Sequence, residues 1–325
     1  MYGAFWRPAN SFWLLVLSTH VGVTLHCHTT RGETPPASER VEAFSPGFVA
    51  VGYRLRRVVS SDGKTWRNDQ QVEVPQGESE KAYLLRGVAQ GDGVIVAVGS
   101  HILTSRDGSR WKEIRPERQW LGDVVYGGGM FVAVGYQRSL HSRNGRDWSP
   151  PVRNNTVSGR RIAYGDGRFT AIGWMTEQEA QVGYTTTSTN AKAWTNTKTA
   201  GGLVPRDIAF GGGRFVLVGT HGLRESSVDG VTWEHRAVGE ASEELRNVIW
   251  TGSQFIAIGP RVGYMSPDGI MWKAWSPRVP SRIAFGGGLF IGCSRGQFSF
   301  STDGRVWTPS AADGDAQILD IEFVP

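Results

Sequence analysis

The sequence predicts an all-β fold: a seven-bladed β-propeller of four-stranded antiparallel blades, closed by the C-terminal strand joining blade 1. Three observations predict it. A heptapeptide ending in tryptophan recurs seven times, short apolar strand pairs around a glycine-rich turn recur with it, and the two ends of the array are complementary fragments. The composition agrees, because 43 glycines and 13 tryptophans in 325 residues suit short strands and tight turns better than helices.

The heptapeptide has the form Ser-x-Asp-Gly-x-x-Trp and recurs about every 40 residues, the length of one blade. Complete copies lie at residues 60–66, 105–111, 227–233, 266–272 and 301–307. Asn144 replaces the aspartate in the copy at 142–148, and Asn190 with Ala191 replaces Asp-Gly at 188–194, which predicts a less ordered fourth blade. An Asp-Gly or Asn-Gly pair favours a tight turn whose side-chain oxygen accepts backbone N–H groups. We expect a structural role for the residues at the third and last positions: Asp62, Trp66, Asp107, Trp111, Asn144, Trp148, Asn190, Trp194, Asp229, Trp233, Asp268, Trp272, Asp303 and Trp307.

The strand pairs are best seen in residues 206–219, RDIAFGGGRFVLVG, and similar segments begin at residues 86, 121, 161, 246 and 282. Each holds a short first strand, a glycine-rich turn and an apolar second strand. In the second strand Phe215 and Leu217 face one way and Val216 and Val218 the other, so both faces of the sheet are apolar. Four-stranded blades stacked radially around a channel cover both faces of every sheet.

The array begins and ends with partial units. Residues 319–323, LDIEF, resemble a first strand with no second strand after it. Residues 47–52, GFVAVG, resemble a second strand with no first strand before it. The C-terminal strand can therefore complete blade 1, which leaves no open sheet edge.

Over about residues 41–325 the heptapeptides resemble the Asp-box, or BNR repeat, of sialidases and many other propellers. The longer unit, as in residues 85–111, is similar to the repeat of the Ycf48-like photosystem II assembly factors. The resemblance implies a propeller that binds protein partners, with the box turns on the face opposite the ligand site. It is specific for the fold and says little about function.

The first 42 residues differ in composition from the rest. Arg7 followed by the apolar stretch 11–25 is typical of a signal peptide over residues 1–27, with a flexible tether over 28–42 before a propeller over 43–325. Cys27 lies where a bacterial lipoprotein carries its lipid, although His26 stands where a small residue is usual. We expect export, to the periplasm, the outer membrane as a lipoprotein, or the medium, with Cys27 either lipidated or incidental. Contact with a membrane is expected only through such an anchor.

The sequence contains few candidate residues for catalysis or for binding a cofactor or metal. The net charge of +5 is interspersed with acids, so nucleic-acid binding is not expected. The Arg-Ile-Pro motif of sialidases is absent, and the acids in variable loops form no recognisable catalytic pair. No phosphate loop, nucleophile elbow or metal-ligand spacing appears, so we expect no catalytic residue, cofactor or metal. The sequence favours a monomeric binding or assembly module for an unknown protein, glycan or anion, and the alternative is a sialidase-like glycoside hydrolase.

One basic constellation is the candidate ligand-binding site. Arginines stand at or just before the first strand of several blades, and that strand lines the channel of a propeller. Guanidinium groups around the channel mouth would attract an anion or an acidic partner surface. The alternative is that each arginine is a repeat element paired with local acids such as Asp207 or stacked on aromatic rings. The residues are Arg86, Arg160, Arg161, Arg206, Arg246 and Arg282.

Overall fold

A computed structural model of the chain describes residues 47–117, 120–153, 158–275, 279–312 and 316–325. The predictions for the signal peptide, for Cys27 and for the tether concern residues outside these ranges. The described residues form seven antiparallel sheets of four strands each, which confirms the predicted seven-bladed propeller. No helix among them is long and apolar enough to cross a membrane.

Blades are numbered in chain order, and each runs from an inner strand at the channel to an outer strand at the rim. Blade 1 contains β1 (Phe48–Gly52), β2 (Arg57–Ser60) and β3 (Arg67–Gln70). Blade 2 contains β4 (Leu85–Gly91), β5 (Val94–Gly99), β6 (His101–Ser105) and β7 (Trp111–Pro116). Blade 3 contains β8 (Leu121–Gly127), β9 (Met130–Gly135), β10 (Arg138–Ser142) and β11 (Val152–Arg153). Blade 4 contains β12 (Ser158–Gly165), β13 (Arg168–Glu177), β14 (Ala180–Ser188) and β15 (Thr195–Lys198).

The second half of the ring repeats this order. Blade 5 contains β16 (Pro205–Gly211), β17 (Arg214–Gly219), β18 (Arg224–Ser227) and β19 (Glu234–Ala237). Blade 6 contains β20 (Asn247–Trp250), β21 (Phe255–Ile258), β22 (Gly263–Ser266) and β23 (Lys273–Trp275). Blade 7 contains β24 (Arg282–Gly286), β25 (Leu289–Ser294), β26 (Gln297–Ser301) and β27 (Thr308–Pro309), and β28 (Ile318–Phe323) follows it. Two short 3₁₀ turns lie in the linkers, at Glu80–Ala82 and Ala200–Gly202.

The ring closes as the partial units predicted, because β28 pairs antiparallel with β1 and becomes the inner strand of blade 1. A fully buried arginine secures this closure. Arg56 forms an ion pair with Asp69 in blade 1, and its Nη1 donates to the carbonyl oxygens of Gly296 at 3.2 Å and Ala316 at 2.6 Å. One side chain thus ties blade 1 to blade 7 and to the segment entering β28.

Apolar side chains fill the space between neighbouring blades. In β17, Phe215 and Leu217 pack against blade 4, whereas Val216 and Val218 pack against blade 6, which confirms that the second strand is apolar on both faces. Glycines at the ends of inner strands let the next blade approach. A Cβ atom on Gly127 would lie 2.1 Å from the Cγ atom of Tyr164 in blade 4, so only glycine fits there.

The heptapeptides form the same turn in complete and altered copies. In blade 5 the Oδ1 atom of Asp229 accepts hydrogen bonds from the backbone N–H groups of Val231 and Thr232, both at 2.8 Å. In blade 4 the Oδ1 atom of Asn190 accepts equivalent bonds at 2.9 and 3.0 Å, and Ala191 takes the left-handed φ of 58°. The altered copy therefore keeps both hydrogen bonds to the side-chain oxygen of its third residue. By the up-and-down order of the strands, these turns lie on one face of the ring and the blade-to-blade linkers on the other, which we call the turn face and the linker face.

Candidate functional site at the channel mouth

Strand register arranges the residues of the inner strands in rings around the channel. The inner ring comprises the residues opposite the same position of each second strand: Gly87, Asp123, Arg161, Asp207, Asn247, Arg282 and Asp320. One residue earlier, toward the linker face, is the mouth ring, comprising Arg86, Gly122, Arg160, Arg206, Arg246, Ser281 and Leu319.

This register divides the six arginines, which the sequence analysis placed at or just before the first strand, between two positions of the blade. Arg161 and Arg282 belong to the inner ring, and the other four arginines belong to the mouth ring. The reason is a β-bulge, which leaves Arg86, Arg160 and Arg206 unpaired in β4, β12 and β16. A bulge inserts one residue and redirects its side chain, and sequence alignment of Arg-Ile with Arg-Asp-Ile cannot reveal it.

Arg161 lies across the channel and is neutralised there. Its guanidinium nitrogens lie 3.4 Å from Asp123, 3.8 Å from Asp207 and 3.5 Å from Asp320, and two more hydrogen bonds reach backbone carbonyls of blades 2 and 1. Burial raises the pKa of the Asp123 and Asp320 carboxyl groups, and the Arg161 charge opposes that rise. The same acids raise the pKa of Arg161 above its ordinary value. Arg161 therefore follows the alternative interpretation of an arginine paired with local acids.

The inner-ring acids also join neighbouring blades, a role that the sequence analysis missed. Each acid accepts a hydrogen bond from the backbone of the next blade: Val88 N donates to Asp320 at 3.0 Å, Ile162 N to Asp123 at 3.0 Å and Val248 N to Asp207 at 2.9 Å. Asn247 makes the equivalent bond, accepting from Ile283 N at 2.8 Å. The available signal was a polar residue directly before the apolar first strand. The inner ring is thus a structural network.

The mouth ring presents arginines stacked on tryptophans. The guanidinium carbon of Arg86 lies 5.3 Å from the ring centroid of Trp120, and that of Arg160 lies 5.5 Å from that of Trp174. The two indoles stack on each other with centroids 6.5 Å apart. Trp174 reaches the mouth because β13 has ten residues, against six in β9 and β17, so the blade 4 hairpin extends further toward the linker face. These side chains enclose a cavity of about 300 Å³ that Arg161 and Arg282 also line.

A second cavity of about 380 Å³ adjoins the first on the side of blades 5 to 7. Here Glu244 accepts hydrogen bonds from the Nε atoms of both Arg206, at 3.0 Å, and Arg246, at 2.9 Å. Among the described residues lining the two cavities Glu244 is the one carboxylate, so the mouth carries a basic and aromatic lining. A basic or aromatic surface favours binding, whereas a glycosidase needs two opposed carboxylates.

Arg160 and Arg282 line both cavities and remain unpaired. Within the described part of the chain, neither has a carboxylate within ion-pair distance or a side-chain hydrogen bond. Burial, together with the charge of neighbouring guanidinium groups, lowers the pKa of Arg160 to about 10. Burial and the charge of Arg161 lower the pKa of Arg282 to about 10 as well, although Asp320, Asp207 and Asp123 oppose this shift. Both arginines therefore stay charged at neutral pH, and Arg160 does so among like charges, an arrangement that an anion would stabilise.

In the ranges that the structure describes, no three His, Cys, Asp or Glu side chains are arranged to hold a metal ion. The tryptophans of the heptapeptides lie on the blade flanks, where Trp233 packs against the blade 4–5 cluster and Trp272 against the blade 5–6 cluster.

No protein-family model and no curated protein matches the sequence. Solved propellers resemble the structure. A Ycf48 structure bound to a D1 peptide is 15% identical with a TM-score of 0.57, over 79% of this chain and 86% of that chain. Ycf48 from Cyanidioschyzon merolae is 15% identical with a TM-score of 0.52, over 86% and 92%. The WD40 propeller domain of Doa1 is 11% identical with a TM-score of 0.56, over 81% and 88%. At these identities the comparisons establish the β-propeller fold alone. The function is therefore inferred from the residues at the channel mouth.

Proposed function

We propose that the protein is a binding propeller whose channel mouth takes an acidic segment of a partner protein. The observation that carries the proposal is the unpaired state of Arg160 and Arg282 beside two stacked tryptophans. Guanidinium groups bind carboxylates through two parallel hydrogen bonds, and they do so best when their planes are already held. Stacking on indole holds the planes of Arg86 and Arg160 in this way.

The dimensions of the mouth favour side chains of a peptide. Cavities of about 300 and 380 Å³ are at the small end of ligand sites, large enough for one or two acidic side chains with adjoining apolar groups. Trp120 and Trp174 add apolar surface that an inorganic anion would not use. The Ycf48 propeller solved with a D1 peptide is consistent with peptide binding in this fold.

Glu244 divides the mouth into two halves. It neutralises part of the charge of Arg206 and Arg246, whereas Arg86, Arg160 and Arg282 face the other cavity without an acid among its described lining residues. The acidic segment is therefore expected against blades 2 to 4, beside the extended hairpin of blade 4.

The test uses a fluorescein-labelled decapeptide that alternates glutamate with glycine, and a second peptide with glutamine in place of glutamate. Arg86→Met with Arg160→Met should weaken binding of the glutamate peptide at least about tenfold and reduce its salt dependence, measured by fluorescence anisotropy. Arg305→Met is the matched control, because Arg305 is an exposed arginine on the turn face. Equal weakening by the control, or equal binding of both peptides to the parent, would reject the mouth as the site.

Export is a second part of the proposal, and it depends on residues 1–42 alone. Fusing residues 1–42 to a periplasm-activated phosphatase should give activity in a Gram-negative host. Cys27→Ser separates the two routes, because it should release the fusion from the membrane fraction only if Cys27 carries lipid. An inactive fusion would remove the export proposal and leave the mouth proposal unaffected.

A further inference from the structure

The channel has a third cavity, on the turn-face side of the inner ring. Its volume is about 500 Å³, and the inner strands of all seven blades line it, with β28 serving for blade 1. Blade 4 contributes only Arg161 and Ile162. We call it the lower cavity. The mouth function proposed above does not use it.

One residue of the lower cavity breaks the pattern of the repeats. Glu322 lies two residues after the inner ring on β28, opposite Val49. The equivalent residues of the other blades are all apolar: Ala89, Val125, Ala163, Ala209, Ile249 and Ala284. A carboxylate stands where every other blade has an alanine, valine or isoleucine.

Aromatic rings surround the same cavity. The next position along the inner strands is aromatic in six blades, and five of these side chains line the cavity: Tyr126, Phe210, Trp250, Phe285 and Phe323. Blade 2 has Gln90 at this position, and it also lines the cavity. Aromatic faces attract organic cations, and apolar walls accommodate their methylene groups.

The charges of the channel leave Glu322 without a cation. The charged and titratable lining groups are Asp320 on its own strand, Asp123 on β8, Arg161 on β12, Asp207 on β16, Arg282 on β24 and Tyr126 on β8, whereas β1 and β4 contribute none. Arg161 already contacts the three aspartates, which also accept backbone hydrogen bonds. Within the described residues Glu322 has no ion pair and no hydrogen bond. Four carboxylates thus face two guanidinium groups, a deficit of two positive charges when all four carboxylates are ionised.

We propose that the lower cavity binds a small organic ammonium ion, with Glu322 as its carboxylate partner and the aromatic rings as its wall. A metal ion fits less well, because the described residues here offer one free carboxylate and no set of three ligands. An ammonium group needs only one carboxylate and donates its other hydrogen bonds to water or carbonyls.

Binding should depend on pH through Glu322. Burial, with added repulsion from Asp320 and Asp123, raises the pKa of Glu322 to about 8, so the empty site is mostly protonated at pH 7. An ammonium ion pairs with the ionised form and must displace this proton. Affinity should therefore rise roughly twentyfold between about pH 6.5 and about pH 8.5, the ratio of the ionised fractions.

The experiment measures binding of spermidine to the full chain by isothermal titration calorimetry at these two pH values. The parent should bind more tightly at the higher pH, and Glu322→Gln should weaken binding at least about tenfold there. Glu322→Ala should behave like Glu322→Gln, and it should fold because alanine occupies this position in four other blades. Glu244→Gln is the control carboxylate at the mouth, and it should leave spermidine binding unchanged.

A second titration distinguishes the sources of the ammonium group. Acetyl-Gly-Lys-Gly-amide represents a lysine side chain of a partner, and spermidine represents a free polyamine. Tighter binding of either one identifies the source, and both must depend on Glu322. Spermidine binding that survives Glu322→Gln, or is lost in Glu244→Gln instead, overturns the proposal. Neither result should change with Arg86→Met and Arg160→Met, because these residues do not line the lower cavity, so this test and that of the mouth can fail independently.

Discussion

Replacing Arg161 by methionine tests the division of the arginines into two rings. In the parent the guanidinium group of Arg161 lies within 4 Å of Asp123, Asp207 and Asp320. Methionine keeps most of the side-chain volume but removes this group. The three carboxylates would then face one another in the channel with Arg282 as the nearest remaining cation of the inner ring. Arg160→Met is the matched control, because Arg160 is the adjacent residue on the same strand and has no acid partner among the described residues.

The size of the effect follows from burial. The Arg161 side chain is 9% exposed and the three aspartate side chains are between 8% and 19% exposed, so solvent screens their charges little. Removing one partner of a buried ion pair typically costs about 3–5 kcal/mol, because the remaining charge stays buried without compensation. We expect a loss of that size for Arg161→Met at neutral pH. Arg160→Met should change the free energy of unfolding by less than about 1 kcal/mol, since it relieves repulsion among guanidinium groups as it removes stacking.

The dependence on pH gives the sharper signature. Burial already raises the pKa of Asp123 and Asp320 in the parent, and without Arg161 that rise would be larger, because only backbone hydrogen bonds and, for Asp320, the charge of Arg282 would still oppose it. The folded variant then binds more protons than the unfolded chain above about pH 4, the ordinary aspartate range, so its stability falls as the pH rises through this window. Below about pH 4 both states are protonated and the variant should approach the parent.

Urea unfolding followed by tryptophan fluorescence, between about pH 4 and pH 8, measures these free energies. The reasoning is refuted if Arg161→Met and Arg160→Met lose equal stability, or if the loss in Arg161→Met does not grow with pH. Either result would mean that the two arginines are equivalent repeat elements, as the sequence alignment first indicated.

Three further predictions concern the fold. Deleting residues 318–325 removes the inner strand of blade 1 and should lower the melting temperature by more than about 10 °C in calorimetry, whereas a shift of one or two degrees would contradict closure by β28. Gly127→Ala should cost about 2–3 kcal/mol in urea melts, because its Cβ atom would meet the Tyr164 ring. Gly129→Ala is the control and should cost only about 1 kcal/mol, since its Cβ atom would have open space around it and only its φ of 74° is unfavourable. Similar losses in the two variants would contradict close packing as the cause. Trp194→Ala and Trp233→Ala should each cost about 3 kcal/mol, because Asn190 forms the same turn as Asp229, and a much smaller loss at Trp194 would restore the interpretation of a weakened fourth blade.

The fold could be predicted from the sequence because the repeats encode it redundantly. Each blade repeats the apolar strand and the turn, so the altered copy with Asn190 and Ala191 did not obscure the pattern. Closure was predictable because an unpaired strand at each end implies a single solution. The lower order expected of blade 4 from its missing Asp-Gly pair stays a prediction, although the turn itself forms. Asparagine supplies the same acceptor oxygen as aspartate, and the turn forms around Ala191 despite its left-handed φ.

The candidate site was predictable only in part. The sequence indicated arginines near the channel, but it could not separate Arg160 from Arg161, since their difference is a one-residue bulge that changes no residue type. The tryptophans that stack on Arg86 and Arg160 lie outside the repeated pattern, one in a linker and one in an extended hairpin. Glu322 lay inside the aligned segment 319–323. Only the strand register showed that it occupies the position that is alanine in four other blades.

The two candidate sites and the closure of the ring depend on the same strand. β28 supplies Asp320 to the network around Arg161 and Glu322 to the lower cavity, and Leu319 lines the mouth. The network also keeps the two openings of the channel chemically distinct. Arg161 is neutralised by three aspartates, whereas Arg160, one position closer to the linker face, has no acidic partner among the described residues. The β-bulge at Arg160 makes the side chains of Arg160 and Arg161 point to different parts of the channel. The linker face therefore has a basic mouth, and the cavity toward the turn face is rich in acids.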